Sequence, residues 1–296
     1  MTYRELYELG CQNLTSRDVP EAGLDARLLL EYVCGTDRNA LLVHGDKVVA
    51  PQEEEKYLKL VAKRGERIPL QHLTEVQEFM GLDFRVNEHV LIPRQDTEIL
   101  VEEVLKNSFS GMRVLDMCTG SGCILISLLR YVMNAQGVGA DLSEEALLVA
   151  RENAVQLLGA DHVLDEMPKM DGDGCFVTFV QSDLFQNVQG IYDVIVSNPP
   201  YIKSEVIDGL MPEVRDHEPR MALDGSEDGL LFYRVITQES KKHLNGGGML
   251  FYEIGYDQGE AVREIMEQAG FIEVQVVKDY SGFDRVVYGT LQFSFL

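Results

Sequence analysis

Four consecutive residues, Asn198, Pro199, Pro200 and Tyr201, close an apolar run, "YDVIVSN" (192–198). Two adjacent prolines stop a strand, because neither can donate a backbone hydrogen bond to a ladder. The stop leaves hydrogen-bond acceptors at a strand end: the side-chain oxygen of Asn198 and the carbonyl of Pro199, with an aromatic ring beside them. A second constellation lies upstream. "VLDMCTGSGC" (114–123) reads as a strand emptying into a Gly-x-Gly turn before a helix. Gly120 and Gly122 let backbone approach a ligand closely, and the helix behind them offers free N–H groups. Asp116, Cys118, Thr119 and Ser121 share that loop. Asp141 ends the next strand, ahead of Leu142, where a carboxylate could hold both hydroxyls of a ribose. Asp183 ends a third strand in "QSDLF", placed to accept from an adenine amino group beside Leu184 and Phe185.

A lone Gly-x-Gly is also an ordinary strand-to-helix turn. A dinucleotide fingerprint would need Gly or Ala three residues after the second glycine, where this chain has Leu125. The set is informative because a glycine loop and two acids fall at three successive strand ends. The five cysteines, Cys11, Cys34, Cys118, Cys123 and Cys175, form no C-x-x-C pair and read as reduced, buried thiols. His72, His89 and His217 have no metal-ligand spacing, so no metal is expected.

Positioning these residues requires an alternating fold. After Gly111, strand-like runs at 113–117, 137–141, 176–183, 192–198, 247–254 and 272–279 interleave with helical stretches, and "DRVVYGTLQF" adds a last strand. That alternation predicts an α/β sheet whose ligand sits at the carboxyl ends of its strands. The first seventy residues read instead as several short helices. "PEAGLDARLLLEYVCG" and "PQEEEKYLKLVAKRG" each place Pro at the start and Gly at the end. Between them and the sheet, "QEFMGLDFRVNEHVLI" alternates like a β-hairpin turning at Gly81, and "PRQDTEILVEEVLKN" starts a helix with Asp96 or Thr97 as its cap. The expected division is a helical domain over 1–70, a hairpin linker over 71–93 and an α/β domain over 94–296. Residues 159–174 read as a long polar loop.

The chain has 296 residues and a formal net charge of −23. Residues 1–75 carry ten basic against thirteen acidic residues, and the remainder carries 16 against 36. So acidic a chain has no footprint for non-specific nucleic-acid binding, although it suits a cationic ligand or a basic protein partner. There is no apolar run of membrane-spanning length and no signal-peptide pattern, so a cytoplasmic location is expected.

"DMCTGSG" and the strand-end "NPPY" resemble S-adenosylmethionine-dependent methyltransferases of the amino-group-methylating branch. Together with "IPRQDTEILVE", "ADLSEEALLVARENA", "HEPRMALDGSEDGL" and "YEIGYDQGEAV", in this order, they resemble the peptide chain release factor glutamine N5-methyltransferases along nearly the whole chain. The resemblance implies a Rossmann-like seven-stranded methyltransferase sheet and an N-terminal helical domain that helps grip the release factor. It also implies a monomer acting on the glutamine of a Gly-Gly-Gln loop, with no direct nucleic-acid contact. Asp116, Cys118, Thr119, Gly120, Ser121, Gly122, Asp141, Leu142, Asp183, Leu184, Phe185 and Asn198 would bind the cofactor. Asn198 and Pro199 would hold both amide hydrogens, Pro200 would stiffen the turn, and Tyr201 would lie against the amide plane. Arg94 could meet the substrate loop or the cofactor carboxylate, or could form a structural ion pair. The alternatives are a nucleic-acid exocyclic-amine methyltransferase (adenine N6 or guanine N2) and a non-catalytic binding protein on the same fold. Three departures from the family stand out: Gln95 where a second proline is usual, Glu75 near a usual glycine, and the longer 159–174 segment.

Overall fold

The computed structural model describes residues 1–166 and 174–292. Its contacts divide into two compact units. The first comprises Met1–Val76 together with Met211–His217. Its main helices span Tyr3–Thr15, Ala22–Cys34 and Pro51–Gly65. Thr2 and Glu5 form a reciprocal capping box on the first, and Gly35 ends the second in the left-handed region. Pro51 opens the third, with Lys63 and Arg64 in its last turn. Leu6, Leu14, Leu29, Leu30 and Tyr57, all wholly buried, form the core between them. Arg64 is buried in this unit and donates to Asp25 at 2.7 Å and to Glu213 at 2.9 Å. Arg67 grips the same Glu213 with two bonds of 2.7 Å. Burial pushes the Glu213 carboxyl up, but the two guanidinium groups outweigh it and hold the pKa below the usual range. Burial dominates at Asp25, whose pKa is raised despite Arg64.

The second unit comprises Gln77–Leu210 and Glu218–Leu296. A hairpin, β1 (Val76–Phe79) and β2 (Leu82–Arg85), turns at Met80 and Gly81, as its alternation predicts. The helix Gln95–Lys106 follows. Its start corrects the cap expected at Asp96 or Thr97: Arg94 is the extended N-cap residue, no side chain caps the helix, and Asp96 and Glu98 lie in the first turn. Acidic side chains there still complement the helix dipole.

Seven strands build the main sheet: β3 (Arg113–Met117), β4 (Gln136–Asp141), β5 (Phe176–Gln181), β6 (Tyr192–Ser197), β7 (Leu244–Glu253), β8 (Phe271–Lys278) and β9 (Asp284–Leu291). Their order is β5-β4-β3-β6-β7-β9-β8. The pairs from β5 to β7 are parallel, and β9 runs antiparallel to both of its neighbours. Both faces of the central strands are covered. Val114, Val194 and Val196 feed one apolar layer, and Leu115, Met117 and Ile195 feed the other. That two-sided burial is why "RVLDM" and "YDVIVS" read as continuous apolar runs. The strand order reverses between β3 and β6, which is the topological switch point where such sheets bind ligands. Of the polar loop expected at 159–174, residues 167–173 lie outside the described residues.

Candidate active site

The parallel register pairs Met117 with Ser197 at the carboxyl ends of β3 and β6. The Ser197 hydroxyl donates to the Met117 carbonyl at 2.6 Å, lacing the two strand ends together. The glycine loop leaves one strand and the Asn-Pro-Pro-Tyr turn leaves the other, so two motifs eighty residues apart open onto one place. A cavity of about 270 Å³ lies there.

The loop is held from below. Thr119 Oγ1 donates to Asp116 at 2.6 Å. Asp116 is fully buried, and burial pushes its pKa up to about 7 although Thr119 opposes the shift. Asp116 does not line the cavity, whereas Cys118, Thr119, Gly120 and Ser121 do. Gly120 and Gly122 both take positive φ, +54° and +79°. They differ in what surrounds them. A Cβ on Gly122 would come within 2.8 Å of Ile126 and 3.2 Å of Ala150, so this glycine serves close helix packing. A Cβ on Gly120 would meet nothing within 4 Å, because its Cα faces open space.

Asp141 ends β4 beside the loop. One carboxylate oxygen accepts from the Gly120 N–H at 2.9 Å and the other from the Ser143 N–H at 3.0 Å. Burial raises its pKa against these two bonds. Each oxygen keeps a lone pair for a further donor. Leu142, half exposed, offers an apolar surface to the same cavity. At the end of β5, Asp183 and Leu184 line the cavity. Phe185 does not: it is buried in the core and stacked on His243 at 4.9 Å between ring centroids.

On the β6 side, Asn198 and Pro200 line the cavity, whereas Pro199 between them is buried and does not. Among the described residues, none hydrogen-bonds the Asn198 side-chain amide and no backbone N–H donates to the Pro199 carbonyl. Tyr201 is not in the cavity wall, and its hydroxyl donates to Glu253 at 3.3 Å. Arg94 lines the cavity and also grips buried Glu218, with one nitrogen 2.7 Å from both carboxylate oxygens. The two expectations for Arg94 are therefore compatible: its ion pair holds it at the cavity wall.

Comparison with known proteins follows the same division of the chain. Residues 5–74 match the family model described as the PrmC N-terminal domain, and residues 94–211 match the methyltransferase small domain. A release factor glutamine methyltransferase of Geobacter sulfurreducens is 40% identical over 291 residues, covering 98% of this chain and 97% of that protein. One from Clostridium acetobutylicum is 40% identical over 267 residues, 89% of each. The chain belongs to the release factor glutamine methyltransferase family. Its fold is also that of a Pyrococcus furiosus methyltransferase crystal structure, at a TM-score of 0.50 and 17% identity over 82% of this chain and all of that one.

Two stretches of the cavity wall carry no ligand signature in the sequence. His89, Val90 and Pro93 line it from the segment before Arg94, and Pro219, Met221 and Asp224 line it from the segment after Glu218. The first runs into the family-like "IPRQDTEILVE" and the second lies in "HEPRMALDGSEDGL", but no residue pattern ties either to a ligand.

Proposed function

We propose that this chain transfers the methyl group of S-adenosylmethionine to the side-chain amide nitrogen, N5, of the glutamine in the Gly-Gly-Gln loop of peptide chain release factors. One observation carries the reading: the Asn198 amide stands unengaged in the same cavity wall as the glycine loop of β3, with the unengaged Pro199 carbonyl next to it in sequence. An adenosine-bearing cation suits the residues present. Gly120 leaves open space, Asp141 and Asp183 bring carboxylates to neighbouring strand ends, and Leu142 and Leu184 add apolar surface. When bound, the cofactor supplies an electrophilic methyl group on a positively charged sulfur.

An amide nitrogen is a poor nucleophile because its lone pair is delocalised into the carbonyl. Positioning must therefore supply much of the rate. Asn198 Oδ1 and the Pro199 carbonyl accept the two amide hydrogens and hold the nitrogen with its lone pair directed into the cavity. The methylated nitrogen is far more acidic than the starting amide, so its proton leaves without a dedicated base. The loop cysteines do not act as nucleophiles. Burial pushes the Cys118 thiol far up and the Cys123 thiol to about 12. No helix among the described residues is long and apolar enough to cross a membrane. A release factor substrate supports a cytoplasmic enzyme that meets a protein partner.

Mass spectrometry of a release factor incubated with enzyme and cofactor tests the reading, with one added methyl group on the Gly-Gly-Gln glutamine as the expected result. Label entering only nucleic acid in a parallel incubation would overturn it. Asn198→Ala should lower kcat about 10²-fold, the order lost when one preorganised polar group is removed from such a site.

A further inference from the structure

Tyr201 sits outside the cavity wall and is nonetheless the most tightly held residue of its turn. Its backbone carbonyl accepts from Gln258 Nε2 at 3.1 Å. The second hydrogen of that amide goes to the Gly229 carbonyl at 3.2 Å. Gln258 Oε1 accepts from the Gly255 N–H at 2.9 Å, and the Tyr233 hydroxyl, 3.4 Å from it, donates its single proton to the nearer Glu253 carbonyl at 3.0 Å. Gln258 is only 7% exposed, with both amide hydrogens donated and its oxygen accepting. The opposite amide orientation would set its two N–H bonds against the Gly255 N–H, so the network admits one orientation. At the other end of the residue, the Tyr201 hydroxyl donates to Glu253, which is 2% exposed at the end of β7. Glycines close the remaining sides. A Cβ on Gly225 would lie 2.7 Å from the Tyr201 Cα, and one on Gly229 would lie 2.5 Å from the Tyr201 oxygen.

We propose that Gln258 and Glu253 are positioning residues for methyl transfer, holding Tyr201 at both ends and thereby aiming the Asn198–Pro199 acceptor pair. The inference rests on the reading that this pair meets the substrate amide. Transmission follows from the prolines. Each proline fixes its own φ, so few torsions remain free between the Pro199 carbonyl and Tyr201. A clamp on Tyr201 therefore sets the direction of a carbonyl two residues away. It also gives a task to "YEIGYDQG" and to the glycines of "LDGSEDGL".

The test measures kcat, the KM for release factor and the calorimetric Kd for S-adenosylmethionine. Gln258→Ala should lower kcat about 10²-fold, the order expected when a reacting group is misplaced by an ångström, with the cofactor Kd within about twofold of the parent. The deciding measurement places Gln258→Ala in the Asn198→Ala background. A residue that acts by aiming the Asn198–Pro199 pair costs little once Asn198 is gone, whereas a purely structural role multiplies in full. Full multiplication, or a Gln258→Ala kcat within about twofold of the parent, overturns the proposal. Should Gln258→Ala not fold, Glu253 decides. Glu253→Leu loses kcat, and Glu253→Gln, which keeps an oxygen for the Tyr201 hydroxyl, recovers most of it; equal loss in both overturns the proposal. If Asn198→Ala itself keeps the parent kcat, the functional reading fails first, and the two failures are thereby told apart.

Discussion

At the residue scale, the site mixes groups that meet the cavity with groups that hold them. Asp116 is a holder: it is buried beneath the loop and bonded to Thr119, with a pKa near 7 set chiefly by burial. In the unfolded chain its carboxyl returns to the ordinary value near 4. Between about pH 4 and pH 7 the folded chain therefore binds more protons at this residue than the unfolded chain does. Its contribution to stability is full below that window and is lost as pH rises through it. Asp116→Asn should flatten this fall, so that the difference in Tm between variant and parent grows in the variant's favour from pH 5 to pH 7.5; parallel curves in differential scanning calorimetry would contradict it. Asp141 is a cavity group whose oxygens already organise the Gly120 and Ser143 N–H groups. Asp141→Ala should weaken cofactor binding by about 1–3 kcal/mol, the range for buried hydrogen bonds to a charged group. Isothermal titration with S-adenosylmethionine measures it directly.

At the element scale, Glu75 and Gln95 fall on backbone positions with special requirements. Glu75 ends the short helix Leu70–Thr74 with φ +61°, in the left-handed region where glycine is unstrained. Relief of that strain, less the extra entropy glycine has in the unfolded chain, predicts that Glu75→Gly stabilises by about 0.5–1 kcal/mol. Gln95 is the first residue of the helix Gln95–Lys106, after an extended Arg94. Proline is favoured at that position, where its missing N–H is not needed and its φ is already correct. Gln95→Pro should raise stability by about 0.4–1 kcal/mol through the unfolded state. Urea midpoints should shift upward for each variant; a lower midpoint for either would mean that side-chain contacts outweigh the backbone there. The requirement at each position is a torsion angle, which sequence spacing does not report.

At the scale of the whole molecule, the chain leaves the second unit after Leu210, contributes Met211–His217 to the first, and resumes the second at Glu218. Within the first unit, Glu213 joins Arg64 and Arg67, residues nearly 150 positions earlier. Removing one partner of a mostly buried ionic cluster leaves the others uncompensated. Glu213→Gln should therefore destabilise the first unit by about 2–3 kcal/mol. Faster amide hydrogen exchange in the helix Pro51–Gly65 would register the loss, and unchanged exchange would refute it. Because the Glu213 pKa lies below its ordinary value, its contribution is present at neutral pH and lost as pH falls through the folded-state value.

Local pattern alone determined the three main helices of the first seventy residues, the seven strands, the glycine loop and the acids at strand ends, because periodicity and turn chemistry act over a few neighbouring residues. Tertiary structure decided which strand ends adjoin. Only the order β4-β3-β6-β7 puts Asn198 beside the glycine loop. It also decided which side chains turn inward: Leu184 faces the cavity while Phe185, its neighbour in sequence, stacks on His243. The grip of Glu253 and Gln258 on Tyr201, across 52 and 57 residues, has no local signature either. Strand order and long-range hydrogen bonds are set by which surfaces can be buried together, and that choice exists only once the whole sheet has formed.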